Sequence, residues 1–210
     1  MGRLKIKICG LSRVEDIECV NKLQPDFIGF VFYPQSKRYV TVAQASELKQ
    51  ILSPKIKAVG VFVNSLSEDV AKIANADIID YIQLHGDEDE VYITKLKALT
   101  KKPIIKAVRV KDEETLRSLD AYPVEYLLLD TYQKGVYGGT GQRMEIDLTK
   151  VHLEQPYFLA GGLDANNVAV ATQNTQAVAV DVSGGVETDG VKDPAKIAAF
   201  IKAVRGDQHD

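Results

Sequence analysis

The sequence has few cysteines: only Cys9 and Cys19 occur in 210 residues. They form no Cys-x-x-Cys pair and belong to no cysteine and histidine cluster. A disulfide framework needs several cysteines at fixed spacings, and a structural zinc site needs such a cluster. We therefore expect neither a disulfide-stabilised fold nor a metal site.

Long apolar runs are also missing. No stretch approaches the roughly 18 to 20 apolar residues that are needed to cross a bilayer. The first seven residues alternate charged and apolar side chains, unlike the apolar core of a signal peptide. We expect a cytoplasmic protein without a membrane partner.

Neither sign of charge is in clear excess. Lysine and arginine number 26 against 29 aspartates and glutamates, which gives a net charge of −3. This balance provides no electrostatic reason to expect a nucleic-acid partner. A small anionic ligand remains compatible with it, because a local anion site needs only a few oriented donors.

What the sequence does contain is a series of short, apolar, β-branched runs. Eight of them recur at a spacing of about 25 residues, the length that a strand and a crossover helix need before the next parallel strand. Continuous apolarity is typical of strands covered on both faces. The runs are Leu4–Cys9, Phe27–Phe32, Ala58–Val63, Tyr81–Leu84, Ile104–Val108, Tyr126–Leu129, Tyr157–Ala160 and Ala177–Val182.

Helix-like segments separate several of these runs. Val14–Leu23 repeats apolar residues at a spacing of three, and Asp193-Pro194 supplies an N-cap and a first-turn proline before Ala195–Val204. We also expect helices over Ser67–Ala74, Asp112–Leu119 and Asn167–Gln173. Eight such units predict a single-domain (β/α)8 TIM barrel over residues 1–210. An open doubly wound sheet is the alternative, because strand and helix alternation alone does not distinguish the two.

In a barrel, functional residues lie where strands end and loops begin. Cys9 ends the first run and is a candidate base. Alternation along a strand puts Lys7 on the same side as Cys9. Because a nearby positive charge favours the thiolate, we predict that Lys7 lowers the pKa of the Cys9 thiol. Asp130 ends the sixth run and is a candidate acid, because desolvation raises a carboxyl pKa. A buried structural cysteine and a loop-capping aspartate remain the alternatives here.

Two glycine pairs follow the seventh and eighth runs, where barrels often bind phosphate. They are Gly161-Gly162 and Gly184-Gly185, and the second pair lies in a stretch with Asp181 and Ser183. Glycine allows backbone N–H groups to approach a phosphate. Each pair alone is compatible with a simple turn, but together they predict a phosphorylated small-molecule substrate.

Three further features occupy strand ends or the loops after them. Arg38 follows the second run and is either a bidentate carboxylate ligand or a solvated charge. His85 directly follows the fourth run, where both an acid–base role and a structural hydrogen bond are open. The glycine-rich segment 138–141 is typical of a loop that closes over a ligand.

An ordered set of short motifs extends over nearly the whole sequence. The motifs are KICG at 7–10, GFVFYPQSKRYV at 29–40, VGVFVN at 59–64, QLHGDE at 83–88, LLLD at 127–130, GGTG at 138–141, LAGGL at 159–163, DVSGGVE at 181–187 and GVKD at 190–193. In this order they resemble the phosphoribosylanthranilate isomerase family.

The resemblance implies the Amadori rearrangement of N-(5′-phosphoribosyl)anthranilate in tryptophan biosynthesis, without metal or cofactor. It implies that Cys9 is the general base, Asp130 the general acid, and Arg38 the ligand of the anthranilate carboxylate. It implies a monomer or a homodimer. The remaining substrate-binding residues would be Gly161, Gly162, Asp181, Ser183, Gly184 and Gly185.

The sequence departs from the family pattern in three places. Residues 142–147 replace a Phe-Asp-Trp-like run, which puts the anchoring of the sixth loop in doubt. Gly184 replaces the second serine of the motif, so a hydroxyl contact to phosphate would be lost. Lys37 replaces the proline before Arg38 and adds positive charge.

Two other functions stay open. The sister isomerase of histidine biosynthesis performs the same rearrangement on a two-phosphate substrate, but it uses aspartates as acid and base. Two features argue against this isomerase: Cys9 at the end of the first strand, and the lack of a matching Gly-Gly loop in the first half of the sequence. An enzyme that accepts both substrates is a related alternative. A non-catalytic phosphate-binding barrel is the other alternative.

Overall fold

The computed structural model describes residues 3–110, 119, 122–131 and 153–206. Eight parallel strands pair in sequence order, and the first pairs with the eighth to close a barrel. The (β/α)8 prediction is thus confirmed, and the open doubly wound sheet is excluded. The strands are β1 (Lys5–Cys9), β2 (Phe27–Val31), β3 (Lys57–Phe62), β4 (Tyr81–Leu84), β5 (Ile104–Val110), β6 (Tyr126–Thr131), β7 (Tyr157–Leu159) and β8 (Ala179–Val182).

Helices surround the barrel. Those within the described residues are α1 (Val14–Leu23), α2 (Val42–Ile51), α3 (Ser67–Asn75), α4 (Glu90–Leu99), α5 (Val168–Thr172) and α6 (Pro194–Arg205). None of them is long and apolar enough to cross a membrane. The sequence patterns located α1, α3, α5 and α6, whereas the predicted helix 112–119 lies outside the described residues except for Leu119.

Side-chain caps explain where several helices begin. Thr41 accepts a hydrogen bond from the Gln44 backbone N–H at 3.2 Å, and the Gln44 side chain accepts one from the Thr41 N–H at 2.9 Å. This reciprocal capping starts α2 and satisfies two donors that the helix leaves open. Asp89 and Asp193 cap α4 and α6 through their carboxylates, as predicted for Asp193.

Alternation along β1 separates two environments. Ile6 and Ile8 pack in the apolar layer between barrel and helices, together with Ile17 of α1. Lys7 and Cys9 face the barrel interior instead. The predicted parity of β1 is therefore correct.

Aromatic rings fill the barrel interior near the amino ends of the strands. The ring centroids of Phe27 and Phe158 are 5.5 Å apart, those of Tyr126 and Phe158 are 5.5 Å apart, and those of Phe27 and Tyr81 are 5.4 Å apart. This packing closes one end of the barrel with apolar side chains. The polar residues lie at the other end, where the strands finish.

A short hairpin follows β8. A single 3-10 turn over Gly184–Val186 leads into β9 (Glu187–Thr188), which pairs antiparallel with β10 (Val191–Lys192). Glu187 and Lys192 are directly opposed in this pairing. The hairpin thus carries two charged side chains next to the glycine loop after β8.

Candidate active site

A pocket opens at the carboxyl ends of the strands. All nine residues that the sequence suggested for catalysis or substrate binding line it, and they are Cys9, Arg38, Asp130, Gly161, Gly162, Asp181, Ser183, Gly184 and Gly185. The barrel therefore brings residues from both ends of the chain to one cavity.

Cys9, the last residue of β1, lies next to the buried ion pair of Lys7 and Asp181. The cysteine is 8% exposed, and two residues earlier Lys7 is completely buried. Lys7 Nζ donates a hydrogen bond of 2.8 Å to Oδ1 of Asp181, which lies opposite Lys7 on the neighbouring strand β8. Asp181 thus lines the pocket, and its carboxylate is already hydrogen-bonded to Lys7.

The pKa of the Cys9 thiol lies above its ordinary value. Burial is the largest cause, and the charge of Asp181 adds to it, while Lys7 acts in the opposite direction. Lys7 thus acts on the thiol pKa in the predicted direction, but burial outweighs it and the net shift is upward. The reason is that a thiolate at the pocket floor loses hydration that one paired cation does not replace.

Lys7 keeps its proton despite complete burial. Desolvation alone would lower the pKa of Lys7, but the attraction of Asp181 and of Cys9 holds that pKa above its ordinary value. The floor of the pocket next to Cys9 therefore contains a salt bridge with a permanently charged lysine. A buried charge of this kind is tolerated only when it is paired.

Asp130 lies near the end of β6 and contacts a histidine. His85 Nε2 is 3.2 Å from Asp130 Oδ2, and both side chains are 11% exposed. On its other side, the His85 Nδ1 atom is 2.8 Å from Nε2 of Gln83, a buried residue of β4. When the Gln83 amide donates to Nδ1, a neutral imidazole carries its proton on Nε2, facing Asp130.

The two glycine loops pack against each other through their backbones. Gly161 and Gly162 have φ angles of 93° and 62°, which favour glycine. A Cβ atom at Gly185 would overlap the carbonyl oxygen of Leu163, so no side chain fits there. Ser183 donates its hydroxyl to the Cys9 carbonyl oxygen at 3.0 Å and joins the second loop to β1.

Arg38 reaches the pocket from the loop after β2 and binds Glu187. Arg38 Nε donates to Glu187 Oε1 at 2.6 Å, and Arg38 Nη2 donates to Glu187 Oε2 at 2.7 Å. Lys192 Nζ donates to Oε1 of the same carboxylate at 2.5 Å. The arginine is therefore a fixed group and not a solvated charge.

The sequence predicted no role for three residues around this site. Glu187 and Lys192 lie within the DVSGGVE and GVKD motifs, and Gln83 lies two residues before His85 on the same face of β4. Charged residues in a motif next to a phosphate loop are a usable signal, but their partners are distant in sequence. His85 was recognised without a decision between its two roles.

The sixth loop and its altered segment, residues 138–147, lie outside the described residues. Across the parts of the chain that are described, no three histidine, cysteine or acidic side chains converge in a way that could hold a metal ion.

Residues 6–203 match the family N-(5′-phosphoribosyl)anthranilate (PRA) isomerase. The chain belongs to this family. It is 47% identical over 204 residues to the N-(5′-phosphoribosyl)anthranilate isomerase of Thermoanaerobacter sp. (strain X514), a match that covers 97% of this chain and 98% of that protein.

Solved structures of the family have the same fold. A phosphoribosyl anthranilate isomerase in complex with reduced 1-(o-carboxyphenylamino)-1-deoxyribulose 5-phosphate is 32% identical, with a TM-score of 0.79 and coverage of 96% of this chain and 98% of that one. Monomers generated from the dimeric Thermotoga maritima enzyme are 34% identical, with a TM-score of 0.78 and coverage of 97% and 99%.

Proposed function

We propose that this chain performs the isomerisation of its family with Cys9 as the general base and Asp130 as the general acid. The observation that carries the proposal is that a thiol and a carboxyl group line one pocket with an arginine and two glycine loops. The substrate would be N-(5′-phosphoribosyl)anthranilate, and the product 1-(2-carboxyphenylamino)-1-deoxyribulose 5-phosphate.

The reaction needs one proton given and one proton taken. Asp130 gives its proton to the furanose ring oxygen, so that the bond from this oxygen to C1′ breaks and an iminium ion forms. The Cys9 thiolate then takes the proton from C2′, and the resulting enolamine tautomerises to the aminoketone. Atoms and charge balance, because product and substrate are isomers.

The two ends of the substrate would be held by different parts of the pocket. Arg38 supports binding of the anthranilate carboxylate, because a guanidinium matches a carboxylate with parallel hydrogen bonds. The loops that contain Gly161, Gly162 and residues 183–185 support binding of the phosphate through backbone N–H groups. Gly184 lacks the hydroxyl of the usual serine, which leaves backbone contacts as the main phosphate ligands there.

Anthranilate fluorescence offers a direct test, because the sequence contains no tryptophan whose emission would interfere. The wild-type protein should cause the fluorescence of the substrate to decay. Cys9→Ala and Asp130→Ala should each slow this decay by about 100- to 10,000-fold, the usual contribution of a general base or acid.

Cys19→Ala is the matched control, since Cys19 lies on α1 away from the pocket and should keep full activity. Full activity of Cys9→Ala would disprove the assigned base. No decay with the wild-type protein would disprove the activity itself.

We further propose that the protein is a cytoplasmic monomer or homodimer. The dimeric Thermotoga maritima relative supports the second state. Light scattering of the purified chain at several concentrations distinguishes the two states, and a larger mass would contradict both.

A further inference from the structure

Glu187 lies between two cations beside the pocket. Its carboxylate accepts three hydrogen bonds, two from Arg38 and one from Lys192, and its side chain is only 7% exposed. Burial alone would raise the pKa of Glu187, but the hydrogen bonds from Arg38 and Lys192 outweigh it and hold that pKa below its ordinary value. Glu187 is therefore a constant anion whose two oxygens are occupied within the protein.

The stem of Arg38 is fixed as well as its head. Arg38 Cδ lies where a side chain at residue 10 would begin, because a Cβ atom added to Gly10 would overlap it. Gly10 directly follows Cys9, so the arginine crosses the end of β1 next to the candidate base. The aliphatic part of Arg38 packs over Gly10 and its guanidinium is bonded to Glu187. The guanidinium therefore has little rotational freedom left to lose when a ligand binds.

Glu187 occupies one specific edge of the guanidinium. A guanidinium has five N–H donors and offers both a side edge, formed by Nε and one Nη, and an end edge, formed by both Nη atoms. Glu187 takes the side edge through Nε and Nη2 of Arg38. The end edge is the one that remains for a carboxylate in the pocket, which Arg38 lines.

The same carboxylate is linked to the glycine loop after β8. Lys192 Nζ, besides its bond to Glu187, donates to the carbonyl oxygen of Ser183 at 3.0 Å. One anion thus connects Arg38 with the loop that begins at Ser183. The three charged groups Arg38, Lys192 and Glu187 carry one net positive charge, which favours an anionic ligand beside them.

We infer that Glu187 is a positioning residue that fixes Arg38 with its end edge towards the substrate carboxylate. This inference rests on the proposed function, in which Arg38 binds the anthranilate carboxylate. Glu187 itself touches no substrate. It acts through Arg38, so its loss should weaken recognition of the carboxylate more than recognition of the rest of the ligand.

Two ligands that differ only in the carboxylate separate this role from a purely structural one. The first is reduced 1-(o-carboxyphenylamino)-1-deoxyribulose 5-phosphate, and the second is its counterpart with an unsubstituted phenyl ring. The ratio of their dissociation constants measures what the carboxylate contributes. For the wild-type protein we expect a ratio of roughly 10 to 100, typical of a charge-assisted hydrogen-bonded pair.

Glu187→Gln should reduce this ratio to nearly the value found with Arg38→Met, because the carboxylate ligand loses more affinity than the phenyl ligand does. The double variant should show no further loss, because both changes disable the same contact. Glu68→Gln is the matched control, since it breaks an ion pair with Lys95 in which both side chains are 58% exposed. That variant should keep the wild-type ratio.

An unchanged ratio in Glu187→Gln, with the Arg38→Met ratio reduced, would overturn the inference and leave the proposed function intact. An equal loss of both ligands would also overturn it, because that is the signature of general damage to the pocket. A wild-type ratio near one would instead contradict the role proposed for Arg38. If Glu187→Gln does not fold, Glu187→Asp is measured, which keeps the negative charge but is too short to hold both Arg38 donors.

Discussion

The side of the pocket that carries Cys9 and the side that carries Asp130 are built from different contacts. Around Cys9, β1, β8 and the β9–β10 hairpin contribute full charges that are paired with one another, as in Lys7–Asp181 and Lys192–Glu187. Next to Asp130 lies the imidazole of His85, the residue after β4, and the amide of Gln83 lies on the far side of that imidazole. We refer to these as the base side and the acid side.

This difference determines what a substitution on each side should change. On the base side, paired charges surround the thiol, so removing one of them leaves its partner buried without a counter-charge. On the acid side, Asp130 contacts an imidazole, whose ring nitrogens can donate or accept a hydrogen bond. The comparison therefore predicts that changes on the base side affect stability and the thiol, whereas changes on the acid side affect turnover.

The largest expected effect comes from removing one charge of the base side. Lys7→Met leaves the Asp181 carboxylate buried without its lysine, which should reduce the free energy of unfolding by about 3–5 kcal/mol. Urea denaturation measures this loss.

Lys95→Met removes a lysine from the exposed pair with Glu68 and should change the free energy of unfolding by less than about 1 kcal/mol. If both variants lost the same amount, burial of the Lys7 pair would have no special importance. Lys7→Met combined with Asp181→Asn should recover part of the loss.

An intermediate effect is expected on the acid side. His85→Asn removes the imidazole whose Nε2 lies 3.2 Å from Asp130 Oδ2 and should lower kcat by roughly 10-fold, the upper value for one neutral polar contact. The KM should change little, because the loops around Gly161 and Gly185 are untouched. Steady-state kinetics measure both constants.

Gln83→Leu serves as the companion variant, since it keeps His85 but removes the amide bonded to its Nδ1 atom. We expect a smaller decrease of kcat in the same direction. A kcat for His85→Asn equal to that of the wild type would show that the contact with Asp130 has no part in turnover.

The smallest expected effect is a shift of the thiol titration. Because the pKa of Cys9 is raised, the thiolate fraction should increase as the pH rises through neutrality, and the contribution of the base to kcat/KM should increase with it. Lys7→Met removes a charge that lowers this pKa, so the pKa should rise further. Alkylation by iodoacetamide in a Cys19→Ser background measures it, and an unchanged titration curve would exclude an influence of Lys7.

Much of the fold could be predicted from sequence because its strands are marked locally. The eight apolar runs locate the strands to within two residues at each end, and alternation along β1 correctly places Lys7 with Cys9. Helices α2 and α4 were not predicted from the sequence. Each has only two buried residues, so its apolar stripe is narrow. Packing on the barrel, more than their own sequence, determines them.

The site was predicted as a set of residues but not as a set of contacts. Cys9, Arg38 and Asp130 were marked by their positions at or after strand ends. The partners of Lys7 and Arg38 could not be read from the sequence, since Asp181 and Glu187 lie 174 and 149 residues away. Their pairing depends on barrel closure and on the hairpin after β8. The net shift of the thiol pKa could not be predicted either, because burial of Cys9 in the closed barrel is its largest cause.

The Lys7–Asp181 bond joins the first strand of the barrel to the last. During synthesis, β1 leaves the ribosome long before β8, so Cys9 exists for most of that time without the carboxylate that later stands beside it. The surroundings that define its reactivity are complete only when the two ends of the chain meet. The chemical behaviour of Cys9 can therefore report whether the ring of strands has closed.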